Sequence, residues 1–154
     1  MKKKKILNFK SHSPQETTNL AKKIATQLKG GEVLALSGNL GAGKTLFAQG
    51  IARGLKIKKN VNSPTFALMK IYSIPSSLNS NKNAQIFCHI DAYRLNSEEE
   101  LITIGALDFL GQKEAITLIE WAEKINKILP EDHISVKIEN GQPKSERIIK
   151  INGL

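Results

Sequence analysis

Two periodicities divide the apolar positions of this chain into helices and strands. Ile6-Leu7-Asn8-Phe9 reads as a short strand. Ser13-Pro14-Gln15-Glu16 then carries three helix-start signals: a capping hydroxyl, a proline suited to the first helical position, and a glutamate that completes a capping box. Leu20, Ile24 and Leu28 recur at helical spacing on one face, and Gly30-Gly31 ends the helix. Glu32 to Ser37 is a continuous apolar run bounded by glycines, the pattern of a parallel strand buried on both faces. A glycine-rich turn, Gly38 to Thr45, and a helix from Leu46 to Gly54 follow. Thr65 to Ile74 predicts a strand, with Phe66, Leu68 and Lys70 alternating against Ala67, Met69 and Ile71. Pro75 to Asn83 is a polar surface loop. Gln85 to Ile90 and Ala115 to Ile119 are further strands, and Ser97-Glu98-Glu99-Glu100 is a second capping box opening a helix. Ile134, Val136 and Ile138 alternate with polar residues, as do Ile149 and Ile151. Asn140-Gly141 lies between them, predicting an antiparallel hairpin.

Strands that alternate with helices through the middle, with antiparallel pairs at both ends, predict an α/β fold. The expected architecture is a mixed, mainly parallel sheet flanked by helices and closed by the C-terminal hairpin. The sequence has no internal repeat and no linker long enough to divide it, so residues 1–154 are expected to form a single domain.

Composition narrows the class. Apolar residues make up 40% and charged residues 24%, ordinary globular values that exclude disordered and fibrous architectures. No apolar run approaches the roughly 18 residues of a membrane span. Met1 to Lys5 is basic without an apolar stretch behind it, so no signal peptide is expected. Cys88 is the one cysteine, which rules out an internal disulfide and suits a reducing cytoplasmic setting. The net charge of +9 at pH 7 would suit a polyanionic partner. Much of the excess is dispersed lysine, however, and aromatics are only 5%, so no base-stacking platform is evident.

Gly38-Asn39-Leu40-Gly41-Ala42-Gly43-Lys44-Thr45 matches the phosphate-binding pattern G-x-x-x-x-G-K-[ST]. A buried strand precedes it and a helix follows, as that turn requires. Its glycines let backbone N–H groups converge on phosphate oxygens, and the helix N-terminus adds a favourable dipole. Lys44 would reach the β/γ-phosphates and the Thr45 hydroxyl would bind Mg²⁺. A metal-linked acid is also required at the end of a neighbouring strand, and both Asp91 and Glu120 occupy such a position. Guanine recognition is not expected, since Asn81-Lys82-Asn83-Ala84 and Asn126-Lys127-Ile128-Leu129 lack the needed acid. Only three arginines, Arg53, Arg94 and Arg147, make the arginine-rich lid of a small-molecule kinase unfavourable.

Taken with Ser63-Pro64-Thr65-Phe66, His89-Ile90-Asp91-Ala92-Tyr93-Arg94-Leu95 and Glu120-Trp121, the turn resembles the TsaE family, the small ATPases of bacterial tRNA threonylcarbamoyladenosine biosynthesis. The likeness spans almost the whole chain. Where many members continue Glu-Trp with proline, this chain has Ala122. The resemblance implies a Mg²⁺-dependent ATPase, weak alone, that docks on TsaD and TsaB and supports their turnover. The pair modifies adenosine 37 of tRNA, so contact with tRNA is expected through the complex. It further implies that Gly38, Leu40, Gly41, Ala42, Gly43, Lys44 and Thr45 cradle ATP, and that Glu120 and Thr45 serve the metal. Lys44, Asp91 and Glu120 are implied in hydrolysis, and Ser63, Pro64 and Thr65 as a nucleotide-sensing switch. Trp121, and more loosely Arg147, are implied near the nucleotide. The rival readings are a small-molecule or nucleotide kinase, and a nucleotide-gated scaffold whose hydrolysis is incidental.

Overall fold

The structure, a computed structural model, describes residues 4–64, 66–76 and 83–154. Its strands are β1 (Ile6–Ser11), β2 (Val33–Ser37), β3 (Met69–Ser73), β4 (Ile86–Asp91), β5 (Ala115–Glu120), β6 (Ile134–Asn140) and β7 (Arg147–Asn152). Its helices are α1 (Pro14–Gln27), α2 (Lys44–Gly54) and the short α3 (Glu99–Thr103). The strands form one sheet in the order β1-β7-β6-β2-β5-β4-β3. β6, β2, β5 and β4 are mutually parallel, β7 is antiparallel to β6, and β1 is antiparallel to β7. Five strands therefore share one direction, and only β7 and β3 run against it. The mixed, mainly parallel α/β sheet with an antiparallel C-terminal hairpin is the fold expected from the sequence.

The apolar run of β2 sits at the centre, with Val33 to Leu36 all buried. Alternate residues of each strand feed two cores. Leu34, Leu36, Phe87, Ile116 and Leu118 face α1 and α2, whereas Val33, Ala35, Ile90 and Ile119 face α3 and the 3-10 turns around Ala106 and Ile125. α1 and α2 approach closely because α2 offers glycine at the contact. A Cβ on Gly50 would lie 2.6 Å from the Ala21 Cβ, and one on Gly54 2.5 Å from the Ala25 Cβ.

Several local expectations shift. At α1, Ser13 caps as predicted, accepting from the Glu16 N–H at 3.2 Å. The Glu16 carboxylate, however, reaches the His12 N–H at 2.8 Å, one residue further out than a capping box requires. The box predicted at Ser97 does not form: Glu98 is the cap of α3 and makes no side-chain cap bond, while Glu100 accepts from the Asn96 N–H. The strand predicted from Thr65 begins only at Met69. Leu68 takes φ 61° and its N–H bonds the Pro64 carbonyl at 2.9 Å, so a turn consumes the first part of that segment. α2 starts at Lys44, two residues earlier than predicted. Of the polar loop from Pro75 to Asn83, residues 77–82 lie outside the described residues.

Candidate functional site

Because β2, β4 and β5 are parallel, their carboxyl ends meet at one edge of the sheet, where ligands of open α/β folds bind. Leu36 is in register with Glu120, and Glu120 with Asp91, so Glu120 stands beside the turn that leaves β2 and Asp91 one strand further out. A cleft of about 350 Å³ opens there. Leu40, Gly41, Gly43, Lys44 and Thr45 line one wall, and Ser63, Asp91, Tyr93, Arg94, Glu120 and Trp121 the other.

The turn after β2 needs glycine at its ends. Gly38 has φ 150°, and a Cβ there would fall 2.3 Å from the Ile138 carbonyl oxygen of β6. Gly43 caps α2 at φ 107°, a left-handed conformation that costs other residues strain. Lys44 therefore opens α2 with its side chain curled back over the turn. Its Nζ donates to the Gly38 carbonyl at 2.5 Å and the Asn39 carbonyl at 2.9 Å, and lies 4.0 Å from the centre of the Trp121 ring. The residue is only 5% exposed. Burial pushes its ammonium below the usual value of 10.5, against the opposing pull of Glu120, Glu123 and Asp91.

Trp121 reaches that position because the chain reverses directly after β5. It takes a left-handed conformation, φ 58° and ψ 40°, uncommon for a bulky side chain and of the kind found at functional sites. The Tyr93 ring packs against it with centroids 4.9 Å apart.

The two acids are held differently. Glu120 is 3% exposed, and its Oε2 accepts from the Thr45 hydroxyl at 3.1 Å while Oε1 lies 3.0 Å from His89 Nε2. Asp91 is 7% exposed; it accepts from the Ser63 hydroxyl and, at 3.0 Å, from the Tyr93 N–H. Thr45 and Glu120 thus offer a paired oxygen site beside the turn, whereas Asp91 is tied to the segment carrying Ser63 and the buried Pro64. An all-oxygen pair of this kind suits Mg²⁺, which is held by one or two protein oxygens together with phosphates and water. Among the described residues no cluster of three or more His, Cys, Asp or Glu could hold a metal on its own.

A family model described as threonylcarbamoyl adenosine biosynthesis protein TsaE matches residues 11–149. The chain belongs to the TsaE family. It is 38% identical over 135 residues to the tRNA threonylcarbamoyladenosine biosynthesis protein TsaE of Bacillus subtilis, covering 88% of this chain and 78% of that protein. The protein of the same name from Borreliella burgdorferi is 34% identical over 151 residues, 96% of this chain and 99% of its own. The crystal structure of Bacillus subtilis YdiB superposes with a TM-score of 0.71 at 31% identity, covering 99% of this chain and 88% of that one.

Not every residue associated with the nucleotide by the family resemblance lines the cleft. Arg147 backs the turn from outside: its Nε donates to the Ala42 carbonyl at 2.8 Å and its Nη2 to the Gly41 carbonyl at 3.3 Å. Its Nη1 is spent on the Lys144 and Glu146 carbonyls. Ala42 is fully buried and Gly38 packs on β6, so both shape the turn without facing the cleft. Thr65 lies outside the described residues. Conversely, nothing in the sequence alone gives His89, Tyr93 or Arg94 an individual role. For His89 it marks only the face: strand alternation puts His89 and Asp91 on the same face of β4.

Proposed function

We propose that this chain is a Mg²⁺-dependent ATPase that serves tRNA threonylcarbamoyladenosine biosynthesis, the process for which its relatives are named. The observation that carries this reading is the Thr45 hydroxyl bonded to Glu120 at 3.1 Å, next to Lys44 on a glycine-bounded turn that opens a helix. Backbone N–H groups of the turn and the α2 N-terminus bind the phosphates. Lys44 exchanges the Gly38 and Asn39 carbonyls for phosphate oxygens, which relieves an ammonium now buried against its own loop. Thr45 and Glu120 hold Mg²⁺, which when bound neutralises phosphate charge and polarises the reacting phosphoryl group. Asp91 orients the attacking water. Its bond to Ser63 links that role to the Ser63-Pro64-Thr65 segment, which senses the γ-phosphate.

Hydrolysis is favoured over phosphate transfer to a metabolite. Of the three arginines only Arg94 lines the cleft, while Arg147 is committed to backbone carbonyls and Arg53 is exposed at the far end of α2. The mouth of the cleft supports docking of a protein partner. Phe66 is 86% exposed with the Arg94 guanidinium over its ring, and Leu40 is 75% exposed. The proposed partners are TsaD and TsaB homologues in the cytoplasm, with tRNA reached through them. ATP turnover measured alone and with TsaD and TsaB tests the reading: slow release of ADP and phosphate, accelerated by the partners, is expected. Phosphate transferred to a metabolite, or turnover unaffected by Lys44→Met, would refute it.

A further inference from the structure

His89 is completely buried on β4, and its ring stacks on Phe87 with centroids 6.2 Å apart and planes 28° apart. It stands in the layer that Phe87 and Leu118 otherwise fill with apolar side chains. Nε2 is 3.0 Å from Glu120 Oε1, while Nδ1 is buried with no hydrogen-bond partner among the described residues. An apolar residue would fill this position without leaving a polar atom unsatisfied, so the imidazole carries a desolvation cost that packing does not explain. What it does explain is the conformation of Glu120. The carboxylate is pinned at both ends, Oε1 by His89 and Oε2 by the Thr45 hydroxyl at 3.1 Å.

We propose that His89 is a positioning residue: its Nε2–H holds Glu120 Oε1 so that Oε2 alone is presented to Thr45 and to the metal site. A carboxylate oxygen only accepts, so the ring proton sits on Nε2, and the bare Nδ1 is the nitrogen that needs no acceptor. A carboxylate tied at one oxygen neither rotates away from Thr45 nor turns both oxygens to the cleft. Such outer partners of a metal-linked acid typically set metal affinity. The inference rests on reading the cleft as a Mg²⁺·ATP site.

Titration of a non-hydrolysable ATP analogue with Mg²⁺ and with EDTA tests it, on the unaltered protein and on His89→Phe, His89→Gln and His89→Asn. The Phe variant should bind the analogue in EDTA as the unaltered protein does and lose roughly tenfold of the affinity that Mg²⁺ adds. Gln, whose amide nitrogen reaches the Nε2 position, should recover most of that gain. Asn, whose amide ends at the Nδ1 position, should not. A full Mg²⁺ gain in His89→Phe overturns the inference while leaving the cleft assignment standing. No Mg²⁺ gain in the unaltered protein overturns the cleft assignment itself, and the inference with it. The ring tautomer, read from nitrogen-15 NMR of the unaltered protein, tests the same point without a variant. A proton on Nε2 supports the inference, and a ring protonated on Nδ1 alone overturns it.

Discussion

On one wall of the cleft, Gly41, Gly43, Lys44 and Thr45 belong to a single turn and the first residues of the helix it opens. On the other, Ser63, Asp91, Glu120 and Trp121 arrive from a loop, the ends of two strands and a left-handed reversal. The first wall is shaped chiefly by its own backbone, with Arg147 bracing it from behind. The second exists only because β4 and β5 are paired in a register that sets Asp91 beside Glu120. Variants at Gly41, Gly43 and Lys44 should therefore change how nucleotide binds, and variants in the opposite wall should change metal use and turnover. Thr45, bonded to Glu120, joins the two.

The largest effect belongs to the turn. Lys44→Met should remove measurable ATP binding, a loss of roughly 100-fold or more, because charge-assisted bonds to phosphate contribute about 1.5–3 kcal/mol apiece. The same variant should melt no lower than the unaltered protein. The sign follows from Lys44: burial lowers its folded value below 10.5, so the ammonium opposes folding below that lowered value. The penalty is relieved as pH rises through it, so any gain in melting temperature should be greatest near neutral pH and shrink under alkaline conditions. A Lys44→Met protein that binds ATP normally would dissolve the contrast between the walls.

Next come the acids. Glu120→Ala should slow hydrolysis roughly tenfold or more, and excess Mg²⁺ should restore part of it. Asp91→Ala should slow hydrolysis with ATP affinity close to normal, and Mg²⁺ should not rescue it. Ser63→Ala, which removes the hydroxyl bond to Asp91 and leaves that from the Tyr93 N–H, should move in the same direction by less. Rescue of Asp91→Ala but not of Glu120→Ala would exchange the two roles.

The turn was legible in the sequence because its chemistry is contiguous: glycines, lysine and threonine at fixed spacing between an apolar strand and a helix. The central parallel strands were legible for a related reason, since β2 and β5 are buried on both faces and read as apolar runs, that of β5 interrupted only by Thr117. The segment before β3 was not. Phe66 and Leu68 carry strand-like residues, but Phe66 is exposed and Leu68 lies in a turn, and only Tyr72 of β3 is buried. Alternation over so short an edge strand does not mark where the turn ends. The role of Arg147 depends on a contact across 105 positions of the chain, which no local pattern encodes. For His89, alternation along β4 marks the face, but not the contact with Glu120 31 positions away.

Smaller effects should come from the brace behind the turn. Arg147→Ala should weaken ATP binding several-fold without altering its Mg²⁺ dependence, since four carbonyl contacts are lost on the outer side only. The least is expected from Glu146, just before β7, which pairs with Lys10 of β1 at 2.9 Å and with His12, just after β1, at 3.1 Å. The hydrogen bond from Lys10, and after it that from His12, holds the Glu146 carboxyl below its usual value of 4.5. A depressed carboxylate stabilises the fold above the unfolded value and loses that contribution as pH falls through the folded one. Glu146→Gln should therefore lower the melting temperature by about one or two degrees at neutral pH, and by less under acid.

The central claim, that this cleft takes Mg²⁺·ATP, is tested most directly by calorimetric titration of ATP into the unaltered chain with and without Mg²⁺, with GTP as the control. One ATP should bind per chain, more tightly when Mg²⁺ is present, and GTP should bind more weakly. No heat from ATP, or equal affinity with and without the metal, would contradict it.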